Sequence, residues 1–334
     1  MHPAVGRDRL LADLVPPRHF DGASFASYRP DPAHPSQQAA VERLAQLAET
    51  ITAPSRGLGA ILRRRRQAPP AVYLDGGFGV GKTHLLASLT HALGPQRAAF
   101  GTFVEYTNLV GALGFAATVE ALGEKDLVCI DEFELDDPGD TVLMSRLLRE
   151  LADRDVALAA TSNTLPGALG EGRFAAEDFL REIQALSARF EVLRVDGQDY
   201  RHRAAVTTAA ASPDHVLVEE SEHRAGATLD SFDDLLAHLA QVHPSRYGAL
   251  LDGVTLVALR GVRTVADQSE ALRLVVLIDR LYDRDVPVLL GGAGEGDLFT
   301  PAMLAGGYRK KYLRALSRLG SLVQDGQQLL AARA

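Results

Sequence analysis

The residues of this sequence that most clearly could do chemistry follow a short apolar run at 71–75. Gly76, Gly81, Lys82 and Thr83 have the spacing G-x-x-x-x-G-K-[ST] of a phosphate-binding loop. Glycines let backbone N–H groups approach phosphate oxygens, and the positive N-terminal end of the following helix favours an anion. The alternative, a glycine-rich turn that binds nothing, is disfavoured because a strand precedes the turn and a helix follows it. We therefore predict that nucleotide phosphates contact Gly76, Gly77, Phe78, Gly79, Val80, Gly81, Lys82, Thr83 and His84.

Two acidic residues, Asp131 and Glu132, form the second signal, because they directly follow four apolar residues at 127–130. Lys82 is expected to reach the β- and γ-phosphates of ATP, and the Thr83 hydroxyl is expected to ligate Mg²⁺. Asp131 is expected to hold the same Mg²⁺, directly or through water. Glu132 is expected to act as the general base that polarises the attacking water. The alternative is a strand that ends in an exposed acidic turn, which the phosphate-binding loop upstream disfavours.

A third polar group, Thr161-Ser162-Asn163, follows another apolar run. In a parallel sheet that binds a nucleotide, the carboxyl ends of the strands face the ligand. Asn163 is therefore expected to hydrogen-bond the γ-phosphate or the attacking water. The alternative is that Ser162 and Asn163 only cap the turn before Pro166.

The remaining pattern alternates strands and helices, which predicts a parallel sheet flanked by helices. Strands are predicted at 72–74, 102–106, 127–130, 156–160, 191–195, 215–219, 254–259 and 286–290. Helices are predicted at 36–49, 82–93, 108–122, 138–154, within 172–186, and at 231–242, 266–282 and 307–324. The domains are expected to be a proline-rich arm and helix at 1–70, a nucleotide-binding core at 71–206 and an α/β region at 207–334.

Composition limits the classes of function. The 334 residues carry a formal charge of −8, and aromatic residues make up only 6%, so general binding of nucleic acid is not expected. Cys129, the one cysteine, is expected to be a small buried apolar residue, and a single cysteine excludes an intrachain disulfide.

No apolar run is long enough for a signal peptide or a membrane span, so a cytoplasmic protein is expected. Peripheral attachment to a membrane through a partner stays open. The run of four arginines at 63–66 is either a patch that binds nucleic acid or an anionic surface or, as we favour, a solvated helix end.

Together these stretches resemble an AAA+ ATPase, with Ile130-Asp131-Glu132-Phe133 and Thr161-Ser162-Asn163 as the shared features. More narrowly, the chain from about residue 30 onward resembles the ZapE family of bacterial cell-division ATPases, which has mitochondrial relatives. The narrower resemblance rests on the stretches at 136–140, 195–201, 277–283, 286–288 and 317–319. It implies an AAA+ P-loop fold with an α/β C-terminal extension.

The resemblance also implies a homo-oligomeric ring, with a hexamer as one candidate, in which an arginine of the neighbouring subunit completes each ATP site. Arg173 and Arg181 are the candidates for this arginine, although residues 176 and 178 depart from the family pattern. Arg314 or Arg318, on the last helix, is implied to act as a second sensor toward the phosphates. The implied partner is a protein of the cell-division apparatus near the inner face of the membrane.

Four functions remain to be weighed. An ATPase that remodels a protein partner is favoured. A nucleic-acid-associated ATPase such as a helicase loader is the alternative, with the arginines at 63–66 as its support. A nucleotide-binding scaffold is opposed by Glu132, since binding alone needs no general base there. A small-molecule kinase is least favoured, because no group of residues for an acceptor substrate is visible.

Overall fold

The computed structural model describes residues 6–53, 68–77, 79–133, 138–164, 188–197, 211–292 and 297–332. The chain divides into two compact units. One comprises Arg7–Pro16 and Phe20–Arg203, and the other comprises Met1–Gly6, Pro17–His19 and Ala204–Ala334. The predicted boundary at 206–207 lies outside the described residues. The first unit therefore includes the N-terminal helix at 35–52 together with the glycine-rich loop.

A five-stranded parallel sheet with the order β2-β3-β4-β1-β5 forms the centre of the first unit. Its strands are β1 (Ala71–Asp75), β2 (Ala98–Thr102), β3 (Leu127–Asp131), β4 (Ala157–Ser162) and β5 (Glu191–Arg194). The described helices of this unit are α1 (Arg7–Ala12), α2 (Pro35–Thr52), α3 (Lys82–Leu93), α4 (Phe103–Leu113), α5 (Phe115–Leu122) and α6 (Pro138–Ala152).

The position of β4 between β1 and β3 decides the geometry of the site. Asp75, at the end of β1, is opposite Ser162, at the end of β4. Ile130 of β3 is opposite Ala160 of β4. Because all these strands are parallel, the loop after β1, the acidic pair at the end of β3 and the polar group at the end of β4 meet at one edge of the sheet.

Apolar packing explains why these segments form the interior of the unit. Every residue of β3 and β4 is buried, as expected for parallel strands covered on both faces. Helix α3 has the predicted bounds, and Leu85, Leu86 and Leu89 are fully buried. Cys129 is also buried as predicted, and burial raises the pKa of its thiol to about 12, so this thiol is not a nucleophile at neutral pH.

One predicted strand of this unit is wrong. The sequence predicts a strand at 102–106, whereas β2 ends at Thr102 and helix α4 begins at the next residue. The cause is a capping box: the Thr102 hydroxyl accepts from the Glu105 N–H, and the Glu105 carboxylate accepts from the Thr102 N–H. This local hydrogen bonding overrides the strand propensity of the aromatic residues that follow.

A separate three-stranded parallel sheet, with the order β6-β7-β8, forms the second unit. Its strands are β6 (Ala227–Ser231), β7 (Leu256–Val262) and β8 (Val288–Gly292). Its described helices are α7 (Asp214–His223), α8 (Phe232–Gln241), α9 (Tyr247–Leu250), α10 (Gln268–Asp283), α11 (Pro301–Ala305) and α12 (Arg309–Ala331). The unit has its own apolar core, which includes Leu274 and Ile278 of α10 and Leu319 and Leu322 of α12.

A second correction concerns residues 215–219, which the sequence predicts as a strand. They belong to α7, which begins after Pro213 and has Asp214 in its first turn, where an acidic residue is favourable. The helix buries Leu217. The strand β6 that follows was not predicted, because its mixed sequence lacks a clear alternation.

Two further sequence predictions, the helix within 172–186 and the basic run at 63–66, lie outside the described residues. Among the residues that the structure describes, no helix is long and apolar enough to cross a membrane.

Candidate active site

The glycine-rich loop begins where β1 and β5 end side by side. The Val195 N–H donates to the Asp75 carbonyl at 2.7 Å, and a Cβ atom at Gly76 would lie 2.2 Å from the Val195 carbonyl oxygen. Only glycine therefore fits at position 76. Farther along, Gly79 and Gly81 have φ angles of 69° and 90°, which side chains strongly disfavour. The loop thus turns through left-handed backbone conformations at two positions where glycine is the favoured residue.

An ion pair between a buried aspartate and an exposed arginine supports the start of this loop. The Asp75 carboxylate, only 5% exposed, accepts a hydrogen bond from Arg194 Nη1 at 2.6 Å. The same guanidinium group also donates to Asp196 at 2.9 Å. Arg194 was not predicted from the sequence, because nothing in the sequence shows that β5 pairs with β1.

The amine of Lys82 lies at the centre of the site. The residue is 8% exposed, and its Nζ donates to the carbonyl oxygens of Gly76 at 2.8 Å and Gly77 at 2.6 Å. It also donates to Oδ1 of Asn163 at 2.8 Å. The structure therefore brings the predicted phosphate-binding lysine into direct contact with Asn163, which the sequence predicts to hydrogen-bond the γ-phosphate or the attacking water, although the two residues are far apart along the chain.

The two predicted magnesium ligands also meet. The Thr83 hydroxyl donates to the Asp131 carboxylate at 3.0 Å and 3.2 Å. Asp131 is 3% exposed, and a buried carboxylate is costly unless donors or a cation compensate it. A second donor is the Thr161 hydroxyl, which hydrogen-bonds Oδ1 of Asp131.

Thr161 contacts both predicted acidic residues. Its Oγ1 accepts from the Glu132 N–H at 3.1 Å, and its carbonyl accepts from the Phe133 N–H at 2.7 Å. Glu132 has a φ angle of 54°, a conformation that is uncommon for a residue with a side chain and that occurs at functional sites. The sequence suggested no role for Thr161, because that role depends on β4 lying next to β3.

The predicted arginines fall into two groups. Arg173 and Arg181, like Phe78 in the loop, lie outside the described residues. Arg314 and Arg318 lie on α12, where Nη2 of Arg314 donates to Asp279 at 3.0 Å and Nη1 of Arg318 donates to it at 2.6 Å. Burial by itself raises the pKa of the Asp279 carboxyl, but the two guanidinium groups outweigh it and hold this pKa below its usual value. The second-sensor role of these arginines stays a prediction.

Comparison with known proteins assigns the family. The sequence pattern of the AFG1-like ATPases matches residues 4–222 and 215–329. The chain belongs to this family. The cell division protein ZapE of Escherichia coli K12 is 26% identical over 260 residues, which cover 66% of this chain and 69% of that protein. An uncharacterized protein of Schizosaccharomyces pombe is 30% identical over 150 residues, which cover 40% of this chain and 33% of that protein.

The match to the AFG1-like ATPases confirms the family that the motifs predict. It identifies the protein as a nucleotide-binding ATPase. Solved structures with some similarity include domain III of the Thermotoga maritima replication initiation protein DnaA, with a TM-score of 0.39, 18% identity, and coverage of 55% of this chain and 70% of that one. DnaI has a TM-score of 0.41 at 16% identity, with coverage of 54% and 94%. The α/β P-loop fold itself is assigned from the strand order and the family.

The chemistry of the described residues fits a nucleotide with a divalent cation. Helix α3 presents its N-terminal end next to the glycine-rich turn, where backbone N–H groups and the helix dipole favour phosphate. Thr83 and Asp131 offer the hydroxyl and carboxylate oxygens that Mg²⁺ prefers, and these oxygens already lie within 3.2 Å of each other.

We expect Thr161→Val to lower ATP turnover about tenfold or more, because the isosteric valine removes one donor from Asp131 and the acceptor of the Glu132 N–H. Leaving buried polar groups unsatisfied costs about 1–3 kcal/mol. Thr161→Ser keeps the hydroxyl and is expected to stay within about threefold of the parent. Steady-state turnover at increasing Mg²⁺ concentration measures this, with folding checked by circular dichroism. Equal turnover in the valine variant and the parent would exclude a positioning role for the hydroxyl.

We expect Asp279→Asn to destabilise the second unit, because two guanidinium groups then face a neutral amide. Breaking a buried ion pair costs about 3–5 kcal/mol, and roughly 2 kcal/mol is expected here because the three side chains are 15–18% exposed. Since the folded-state pKa of Asp279 is lowered, the parent has this stability above about pH 4 and loses it as the pH falls through that pKa. Urea unfolding across pH measures the difference.

A matched control is Asp233→Asn, which removes the exposed pair with Arg263. Its expected cost is below about 1 kcal/mol. If both variants lost the same stability at neutral pH, the Asp279 pair would contribute no more than a surface ion pair.

Proposed function

We propose that this ATPase couples the binding and hydrolysis of ATP to the remodelling of a protein partner. The observation that carries the proposal is the connected set of contacts from Lys82 to Asn163 and from Thr83 through Asp131 to Thr161. It joins the loop after β1 to the ends of β3 and β4. A change at the phosphates can thus move two other strand ends, which is what a nucleotide-driven conformational change requires.

Each side chain has a role in this proposal. Lys82 binds the β- and γ-phosphates as a cation, and Asn163, which it already contacts, reports the γ-phosphate. Thr83 and Asp131 hold Mg²⁺, which neutralises phosphate charge when it is bound. Glu132 accepts a proton from the attacking water, and Thr161 holds its backbone in position.

The active form in this proposal is a homo-oligomeric ring, with a hexamer as one candidate. An arginine of the neighbouring subunit, Arg173 or Arg181, completes each site by neutralising charge that develops on the γ-phosphoryl group. Arg314 or Arg318 acts as the second sensor. Both assignments derive from the family resemblance.

The partner and location follow the similarity to Escherichia coli ZapE, whose name assigns it to cell division. We propose a cytoplasmic ATPase that acts on a protein of the division apparatus. The alternative, a nucleic-acid-associated ATPase, is supported only by the arginines at 63–66, which lie outside the described residues. The formal charge of −8 opposes it.

Glu132→Gln is expected to bind ATP with the affinity of the parent and to turn it over at least 100-fold more slowly, because the amide cannot accept a proton from water. It is also expected to accumulate in an assembled state, since ATP stays bound. Fluorescent-nucleotide titration, phosphate release and native mass measure the three properties. Lys82→Ala serves as the non-binding control, and parental turnover in the glutamine variant would remove Glu132 as the general base.

Arg173→Ala or Arg181→Ala is expected to bind ATP normally but to lose turnover, since the missing cation acts only on a neighbouring subunit's nucleotide. Turnover of the parent is expected to rise with protein concentration as assembly proceeds. Measuring turnover and native mass in parallel tests both statements. A fully active monomer would argue against an intersubunit site, and normal turnover in both variants would exclude both arginines.

A further inference from the structure

The segment at 20–28, upstream of helix α2, lies against the glycine-rich loop and helix α3. We propose that this segment, the N-terminal clamp, positions the loop for nucleotide phosphates and that Tyr28 is its principal positioning residue. No sequence motif marks this role, because the clamp and the loop are separated by α2 along the chain.

Tyr28 contacts the loop with both its hydroxyl and its ring. The hydroxyl donates to the Val80 carbonyl at 2.8 Å. The ring lies so close to Gly81 that a Cβ atom there would be 2.6 Å from Cε2 of the tyrosine. Gly81 has a φ angle of 90° and immediately precedes Lys82, so the tyrosine contacts the loop where its backbone turns into the helix.

The Tyr28 hydroxyl remains a hydrogen-bond donor over the whole physiological pH range. Burial raises the pKa of the Tyr28 hydroxyl to about 12, so it keeps its proton throughout the physiological range. The Val80 side chain is held independently, because it is 5% exposed and lies close to Gly76 and Gly197. The backbone at Val80 is thus restrained from two sides.

A second set of contacts attaches the clamp to α3. Nε2 of His84 lies 3.0 Å from Oγ of Ser27 and 3.3 Å from the Ser24 carbonyl oxygen. The rings of Phe20 and Tyr28 both contact the His84 ring, with centroid distances of 6.4 Å and 5.7 Å. About two helical turns further on, Nδ1 of His91 donates to the Ala23 carbonyl at 2.9 Å.

The clamp also has hydrogen bonds within its own segment. The Ser24 N–H donates to Oγ of Ser27 at 2.9 Å, and the Ser27 N–H donates to Oγ of Ser24 at 3.1 Å. The Tyr28 N–H donates to the Ser24 carbonyl at 3.2 Å. These local bonds form a tight turn, so Tyr28 leaves it in a fixed direction.

Preorganisation explains how the clamp would affect the ligand. Phosphate binding requires the loop's N–H groups to point inward together, and a loop that must be ordered at that moment loses affinity. Holding Val80 and Gly81 in advance removes part of that cost. The inference rests on ATP binding by the family and is independent of which partner the ATPase remodels.

The test compares two tyrosine-to-phenylalanine variants of the full chain. Tyr28→Phe removes only the bond to the Val80 carbonyl, and Tyr247→Phe removes a bond of the same length, 2.8 Å, from a buried hydroxyl to the Leu239 carbonyl in the second unit. We expect Tyr28→Phe to raise the dissociation constant for a fluorescent ATP analogue, and KM for ATP, about three- to tenfold with kcat within twofold. A lost hydrogen bond of about 0.5–1.5 kcal/mol has an effect of this size.

Tyr247→Phe is expected to lower the melting temperature while leaving the dissociation constant unchanged. If Tyr28→Phe did the same, Tyr28 would be a core tyrosine and the inference would be wrong. Should Tyr28→Phe fail to fold, Ser27→Ala tests the same clamp through His84, and a dissociation constant equal to that of the parent would overturn it. A parent that binds ATP without remodelling a partner would contradict the proposed function and leave this test intact.

Discussion

Two buried charges, the ammonium group of Lys82 and the carboxylate of Asp131, constrain the first unit more than any other feature. Both residues are less than a tenth exposed, and burying an ionised group is costly unless it is compensated. Lys82 is compensated by three oxygen acceptors, and Asp131 by two hydroxyl donors. The two charges and these partners lie at the ends of β1, β3 and β4 and at the start of α3. The charges are therefore tolerable only when the whole sheet edge is assembled.

The sheet order explains why those partners are available. With β4 between β1 and β3, the residues at the end of β4 lie between the lysine and the aspartate. Asn163 meets one charge, and Thr161 meets the other. The same arrangement explains the unusual backbone conformation of Glu132, because its N–H donates to the Thr161 hydroxyl. In the function that we propose, nucleotide binding and hydrolysis therefore depend on a single local network.

The sequence predicts the parallel sheet, the bounds of α3 and the residues that meet at the sheet edge, because motif spacing and apolar runs are local signals. It does not predict which strands are neighbours, so Thr161, Arg194 and Tyr28 were missed. The errors at 102–106 and 215–219 have a common cause. In both, aromatic or β-branched residues suggest a strand, while a hydrogen-bonded cap or an acidic first turn starts a helix. The pairing of Arg314 and Arg318 with Asp279 was also not predicted, because it joins two separate helices and the sequence does not show which helices are neighbours.

The order of the strands along the chain has a consequence for synthesis on the ribosome. Strand β1 is central in the sheet, yet both of its neighbours, β4 and β5, are made only after β2 and β3. Until residue 162 has emerged, the apolar strand β1 has no partner on either side, and until residue 194 has emerged it has a partner on one side only. Pairing between segments so distant in sequence is slow, and unpaired apolar strands favour aggregation. During synthesis, β1 therefore stays unpaired for a long interval in which the chain is prone to aggregate.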